Sequence, residues 1–104
     1  MAERFVYRFA WDPETAATNR RKHGVTFELA ATVFRDPLAL SRYDDEHSEA
    51  EERWLTLGLD ESGALLVVSH TFEALGDEEA LVRVISAREA TTHEREQYES
   101  GQGR

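Results

Sequence analysis

At the start of the chain Phe5, Tyr7 and Phe9 alternate with Val6, Arg8 and Ala10. A period of two is that of a strand with one aromatic face, and it predicts a first strand over residues 3–10. The period then changes. Asp12-Pro13-Glu14 has the chemistry of a helix start: a side-chain acceptor at the N-cap, a proline where the missing N–H costs nothing, and an acid near the positive dipole end. That helix should run to Lys22 or His23 and stop at Gly24, a residue suited to the left-handed C-terminal cap. Its face is weakly apolar, with only Ala16, Ala17 and arginine stems. Thr26 can cap a second helix, in which Phe27, Ala30, Ala31 and Phe34 fall at i, i+3, i+4 and i+7. Pro37 disfavours helical geometry at Asp36 and ends it. A short extended piece, Leu38 to Arg42, follows before the acidic loop from Asp44 to Glu49.

Three further strands are expected. Leu55, Leu57 and Leu59 alternate with Trp54, Thr56 and Gly58, and Asp60-Glu61-Ser62-Gly63 reads as a hairpin turn. The apolar run 64–68 suits a central strand buried on both faces. Phe72 to Ala80 reads as an acidic, glycine-containing connection. Leu81 to Ala87 is then the last strand, with Val82, Val84 and Ser86 on one face and Leu81, Arg83, Ile85 and Ala87 on the other. Thr91 and Glu94 stand at capping-box spacing for a terminal helix, polar apart from Tyr98. The predicted fold is α+β: two N-terminal helices after a first strand, packed on an antiparallel sheet of about four strands, with a C-terminal helix. Residues 1–100 form one domain and 101–104 a disordered tail.

Composition narrows the chemistry. There are no cysteines, so neither disulfides nor thiolate metal sites can form. The start has no apolar signal core and no run is long enough to span a bilayer, which points to a soluble, cytoplasmic protein. A net charge of −9 argues against a polyanion ligand, but the charge is uneven. Residues 43–81 hold twelve acidic side chains against Arg53 alone, whereas residues 1–42 carry seven basic against five acidic. A fold that joins the two ends can therefore present an arginine cluster away from the acidic middle.

Arg83 shares a strand face with Leu81 and Ile85, so a permanent charge stands on an apolar side and needs a partner or an opening to solvent. A salt bridge to a nearby glutamate meets that need. So does a phosphate, which the planar guanidinium fork matches. Lys22-His23 places a cation and an imidazole at a helix C-terminus, where the dipole favours positive charge. His47, His70 and His93 show no metal-ligand spacing, and His70 is either a satisfied core histidine or an acid/base. Glu51, Glu52 and Arg53 open the second strand, where a glutamate could accept a proton or simply be solvated.

The order of short motifs goes further. Phe9-Ala10-Trp11-Asp12-Pro13, Asn19, Lys22-His23-Gly24-Val25 with Phe27, Ala30, Val33-Phe34 and Asp36-Pro37 resemble the opening half of the BrnT family of toxins. His47-Ser48 with Glu51, Glu52 and Arg53, Gly58, His70-Thr71, the strand Arg83 to Arg88 with Glu89-Ala90-Thr91, Glu94-Arg95 and Tyr98 resemble its second half. The resemblance implies a fold similar to RelE and ParE toxins and ribonuclease activity that arrests translation. It also implies neutralisation by a BrnA-like ribbon-helix-helix antitoxin, with operator DNA bound only through that partner. No metal or cofactor is implied. The ribose 2′-hydroxyl attacks the adjacent phosphate, which needs a proton acceptor, a proton donor and cations for the charge on the phosphorane. The cation role falls to Arg83 and Arg88 with Lys22, and the acid/base candidates are His23, His47, Glu52 and Tyr98. The alternative is a binding module that cleaves no RNA: a ParE-like poison of another target, or a degenerate toxin that acts only as antitoxin partner and co-repressor.

Overall fold

The computed structural model describes residues 5–102. Strand β1 (Val6–Ala10) opens the fold, the expected residues 3 and 4 lying outside the described ones. Helix α1 (Pro13–His23) begins and ends where its caps predict. The Asp12 carboxylate accepts hydrogen bonds from the N–H and hydroxyl of Thr15, at 2.9 and 3.0 Å, and Gly24 takes φ 70° while its N–H donates to the Arg20 carbonyl. Thr26 caps helix α2 (Phe27–Thr32) by accepting from the Leu29 N–H. This helix is shorter than the apolar stripe predicts, because the chain tightens into a 3-10 turn over Val33–Arg35 before Asp36. The turn carries Val33 into the core, while Ala31 and Phe34 are only half-buried.

The remaining elements are β2 (Leu40–Tyr43), β3 (Trp54–Leu59), β4 (Leu65–His70), β5 (Glu73–Gly76), β6 (Glu79–Glu89) and helix α3 (Thr92–Gln102). The strands form one six-stranded sheet in the order β1-β6-β4-β3-β2, with β5 also paired to β6. Three expectations need correction. The sheet is mixed rather than antiparallel with about four strands, because β1 runs parallel to the first half of β6. The stretch from Phe72 to Ala80 is not a mere connection: it holds β5, a turn at Asp77-Glu78 and the start of β6. Glu73-Ala74-Leu75-Gly76 lacks an alternating apolar face, so its strand character comes from pairing with β6 and not from local preference. The terminal helix likewise runs through Gln102, past the expected start of a disordered tail, and residues 103–104 lie outside the described ones.

One sheet face carries the core. Leu66 and Val68 of β4 and Val82, Val84 and Ala87 of β6 meet Phe27, Ala30 and Val33 from α2 and its turn. Gly58 of β3 lets that turn seat closely, since a Cβ there would stand 2.9 Å from Val33 Cγ1 and 3.0 Å from Ala39 Cβ. Strict alternation would put Ala87 on the face opposite Val82 and Val84. A bulge prevents this: Ser69 pairs with Ser86 and His70 with Val84, so Ile85 is an extra residue and the phase of β6 shifts. The sheet edge beyond β1 is closed by a side chain. Buried Asn19 of α1 donates to the carbonyls of Ala87 and Val25, at 2.9 and 3.0 Å, and accepts from the Ala87 N–H at 3.0 Å. Its amide thus stands in for a neighbouring strand. Among the described residues no helix is long and apolar enough to cross a membrane.

Candidate active site

The second face of the sheet is read from the strand registers. Arg88 lies beside Val67, Val67 beside Leu57 and Leu57 beside Leu40; one row on, Ser86 lies beside Ser69, Ser69 beside Leu55 and Leu55 beside Arg42. Arg83 follows on this face, because Val82 and Val84 point into the core. Arg53, at the entrance of β3, joins them through a shared carboxylate: Glu51 Oε1 accepts from Arg83 Nη2 at 2.5 Å and lies 3.9 Å from Arg53 Nη2. Four arginines thus border one sheet face, with α3 across one end.

This corrects the expectation for Arg83. Its side chain is 44% exposed and ion-paired to Glu51, so no charge is buried on an apolar side. The hydrogen bond from Arg83 holds the Glu51 carboxyl below the usual range. Arg88 is held at the other end of the face by a two-pronged contact with Glu94, each N–H···O distance being 2.8 Å. That contact pushes the Arg88 guanidinium up and, with the hydrogen bonds from Thr91, brings the Glu94 carboxyl down to about 2. Glu94 is also half of the expected capping box: its Oε1 accepts from the Thr91 N–H and its own N–H donates to Thr91 Oγ1. The start of α3 and the position of Arg88 are therefore one construction. No ion pair among the described residues involves Arg42. Glu51 and Glu94 each engage one of the four arginines, and Glu96 lines the same face near Arg42.

The other expected residues divide. Lys22 and His23 close α1 and, with Ile85 and Ser86, line a cleft at the edge of β6, on the stretch between Arg83 and Arg88. His47 sits instead in the acidic loop, its Nδ1 2.9 Å from buried Asp44. Glu52 lies exposed in the same loop. Tyr98 is buried, and its hydroxyl donates to Asp36 Oδ2 at 2.7 Å. Burial and that carboxylate push the Tyr98 phenol up to about 12, and its proton is committed to Asp36 inside the fold. Burial opposes ionisation of Asp36, but hydrogen bonds from the Leu59 N–H, Tyr98 and the Leu38 N–H outweigh it and hold the carboxyl below its usual range. Asp36 thereby ties α3 to β3 and to the end of the 3-10 turn.

His70 resolves as a core histidine. Nδ1–H donates to the Thr71 carbonyl at 2.9 Å, leaving Nε2 to accept from the Thr56 hydroxyl at 2.7 Å, which in turn accepts from Ser41 at 2.8 Å. Burial pushes its imidazole below the ordinary value, and Phe34 packs edge-on against the ring. Arg42 as a site residue, and Arg53 as a base-free cation, were not anticipated. A signal existed for both, since each stands two residues from a leucine of the same strand face, Arg42 from Leu40 and Arg53 from Leu55.

Residues 11–94 match the model of the family described as the ribonuclease toxin, BrnT, of type II toxin–antitoxin systems. Among solved structures the chain is similar to the ribonuclease toxin BrnT of Brucella abortus, at 22% identity and a TM-score of 0.48, over 85% of this chain and 99% of that one. No curated protein matches it significantly.

Proposed function

Because the chain belongs to the BrnT family of ribonuclease toxins of type II toxin–antitoxin systems, we propose that it is a metal-independent endoribonuclease acting on the arginine-lined face of its sheet. The observation that carries this reading is the convergence of Arg42, Arg53, Arg83 and Arg88 on one face, beside a cleft holding Lys22 and His23. Single-stranded RNA lies across the face with its scissile phosphate near Ser86. The ribose 2′-oxygen attacks phosphorus, the bond to the 5′-oxygen breaks, and the products are a 2′,3′-cyclic phosphate and a 5′-hydroxyl. His23 exchanges protons with the attacking and leaving oxygens, while Arg83 and Arg88 hold the non-bridging oxygens as negative charge builds. His47, Glu52 and Tyr98 have no part in this reading. Neutralising RNA phosphates releases their counterions, so affinity falls with added salt, and Glu51 and Glu94 lower it further by competing for the two guanidinium groups.

In the cell such cleavage arrests translation, and a BrnA-like ribbon-helix-helix antitoxin neutralises it in the cytoplasm and carries the pair to operator DNA. Purified protein incubated with single-stranded RNA in EDTA tests the central step. Fragments with 2′,3′-cyclic ends are expected, and Arg83→Ala should lower the cleavage rate by about a hundredfold or more. Intact RNA with folded wild-type protein, or cleavage that requires a divalent metal, would overturn the reading. Toxicity without RNA cleavage would favour a poison of another target. Tight antitoxin binding without toxicity would favour a partner protein only. The carboxylates already seated on Arg83 and Arg88 are what favour those outcomes.

A further inference from the structure

Beside the arginines, the same sheet face forms the floor of a groove of about 890 Å³ whose wall is α3. Its floor is apolar, built from Leu55, Leu57 and Val67, and its rim carries Arg42 from β2 with Glu96 and Gln97 from α3. We infer that this groove takes an unpaired nucleobase of the RNA next to the scissile phosphate, and that Glu96 and Gln97 set which base is accepted. The inference rests on the ribonuclease reading and extends it to sequence preference.

Three observations favour a base over other occupants. Val67 pairs directly with Arg88, so the floor begins one strand spacing, about 4.8 Å, from a phosphate-holding arginine. Glu94, which holds Arg88, also lines the groove, making groove and arginine face continuous. The lining also matches a splayed base, which presents a flat apolar face and a polar edge, whereas a phosphate would meet the Glu96 carboxylate unfavourably. Carboxylate and amide acceptors at the rim suit exocyclic amino groups, as a glutamate does for cytosine N4 and a glutamine for adenine. Adenine, cytosine and guanine carry such a group and uracil does not. Cleavage should therefore be disfavoured where the groove would have to hold uracil.

The test uses the full chain and end-labelled single-stranded RNA of mixed sequence. Wild type, Glu96→Gln and Gln97→Ala are mapped for cut positions, with Arg83→Ala as the clamp variant. Both groove side chains are exposed on α3, so the substitutions leave the fold intact. The expected result is that the two groove variants lose uracil discrimination several-fold, cutting uracil sites in a larger share of all cuts than wild type does. An unchanged cut pattern alongside loss of cleavage in Arg83→Ala would overturn the groove inference and leave the ribonuclease reading standing. A second measurement stands apart from cleavage: NMR titration with the four nucleoside 5′-monophosphates and with inorganic phosphate. Amide shifts in α3 and β3 that nucleotides induce and phosphate does not support the base site, whether or not the protein cleaves RNA. Shifts that phosphate reproduces in full, or groove signals that move only when a helical protein partner is added, overturn it.

Discussion

The two faces of this sheet are made by the same strands and the same alternation, and they end in opposite states. On the first face α1, α2 and the 3-10 turn cover Leu66, Val68, Val82, Val84 and Ala87, and even the polar groups there are satisfied internally, as the Ser41–Thr56–His70 chain is. On the second face α3 covers only one end, and arginines border the rest, Arg83 and Arg88 among them paired with Glu51 and Glu94. The contrast separates stability from recognition. Groups on the closed face are held by burial, which water cannot replace; those on the open face are held by ion pairs that a phosphate can replace. Substitutions should divide accordingly, with large stability costs on one side and large activity costs on the other.

The largest stability effect is expected at Asn19, which belongs to the closed side although it is polar. Asn19→Ala leaves the Ala87 N–H and the carbonyls of Ala87 and Val25 without their partner, at a cost of about 3 kcal/mol. Thermal unfolding should fall by roughly 15 °C, at about 4–8 °C per kcal/mol for a domain of this size. A fall of under about 4 °C would mean that water enters the edge of β6 and takes the place of the amide. Gly58→Ala comes next, at about 1–3 kcal/mol, because the added methyl meets Val33 Cγ1 at 2.9 Å in a packed turn. Gly76→Ala on exposed β5 is the control: its Cβ meets nothing within 4 Å, and unfolding should hardly move.

Elements with local chemistry were legible in the sequence and elements made by distant pairing were not. Asp12-Pro13 with Gly24, the Asp60–Gly63 turn and the Thr91–Glu94 box each state a boundary through neighbouring residues, and the structure has each in place. Strand β5, the parallel seat of β1 and the bulge at Ile85 arise only when β6 meets its neighbours, and no local period records them. The candidate site shows the same division. Arg83 and Arg88 were visible because they lie on one strand, but their company with Arg42 and Arg53 depends on the order β6-β4-β3-β2. Asn19 stands within a motif legible in the sequence, yet its pairing with Ala87 spans 68 residues, a distance at which no spacing rule speaks. Tyr98 was legible as the one apolar residue of α3 and an acid/base candidate, whereas its burial against Asp36 follows only from the fold.

The smallest expected effect lies where the two faces meet, at the Glu94–Arg88 contact that starts α3 over the open face. Glu94 titrates at about 2 in the folded chain against an ordinary 4.5, so the unfolded chain binds its proton first as pH falls. The stabilisation is therefore present above about pH 4.5 and is lost as pH drops towards 2. The contact is partly open to solvent, which screens it, and about 1 kcal/mol is the expected size. Buried His70 is depressed from 6.5 and also loses stability on acidification, but its loss begins in the higher window, below about pH 6.5, so the two can be told apart. Glu94→Gln keeps the capping geometry without the charge. Denaturant unfolding followed from pH 6 to 2.5 should show wild type losing about 1 kcal/mol more than this variant, all of it below about pH 4.5. Parallel curves would mean that Glu94 is as free in the folded chain as in the unfolded one, and that Arg88 stands ready for phosphate without a competitor to displace.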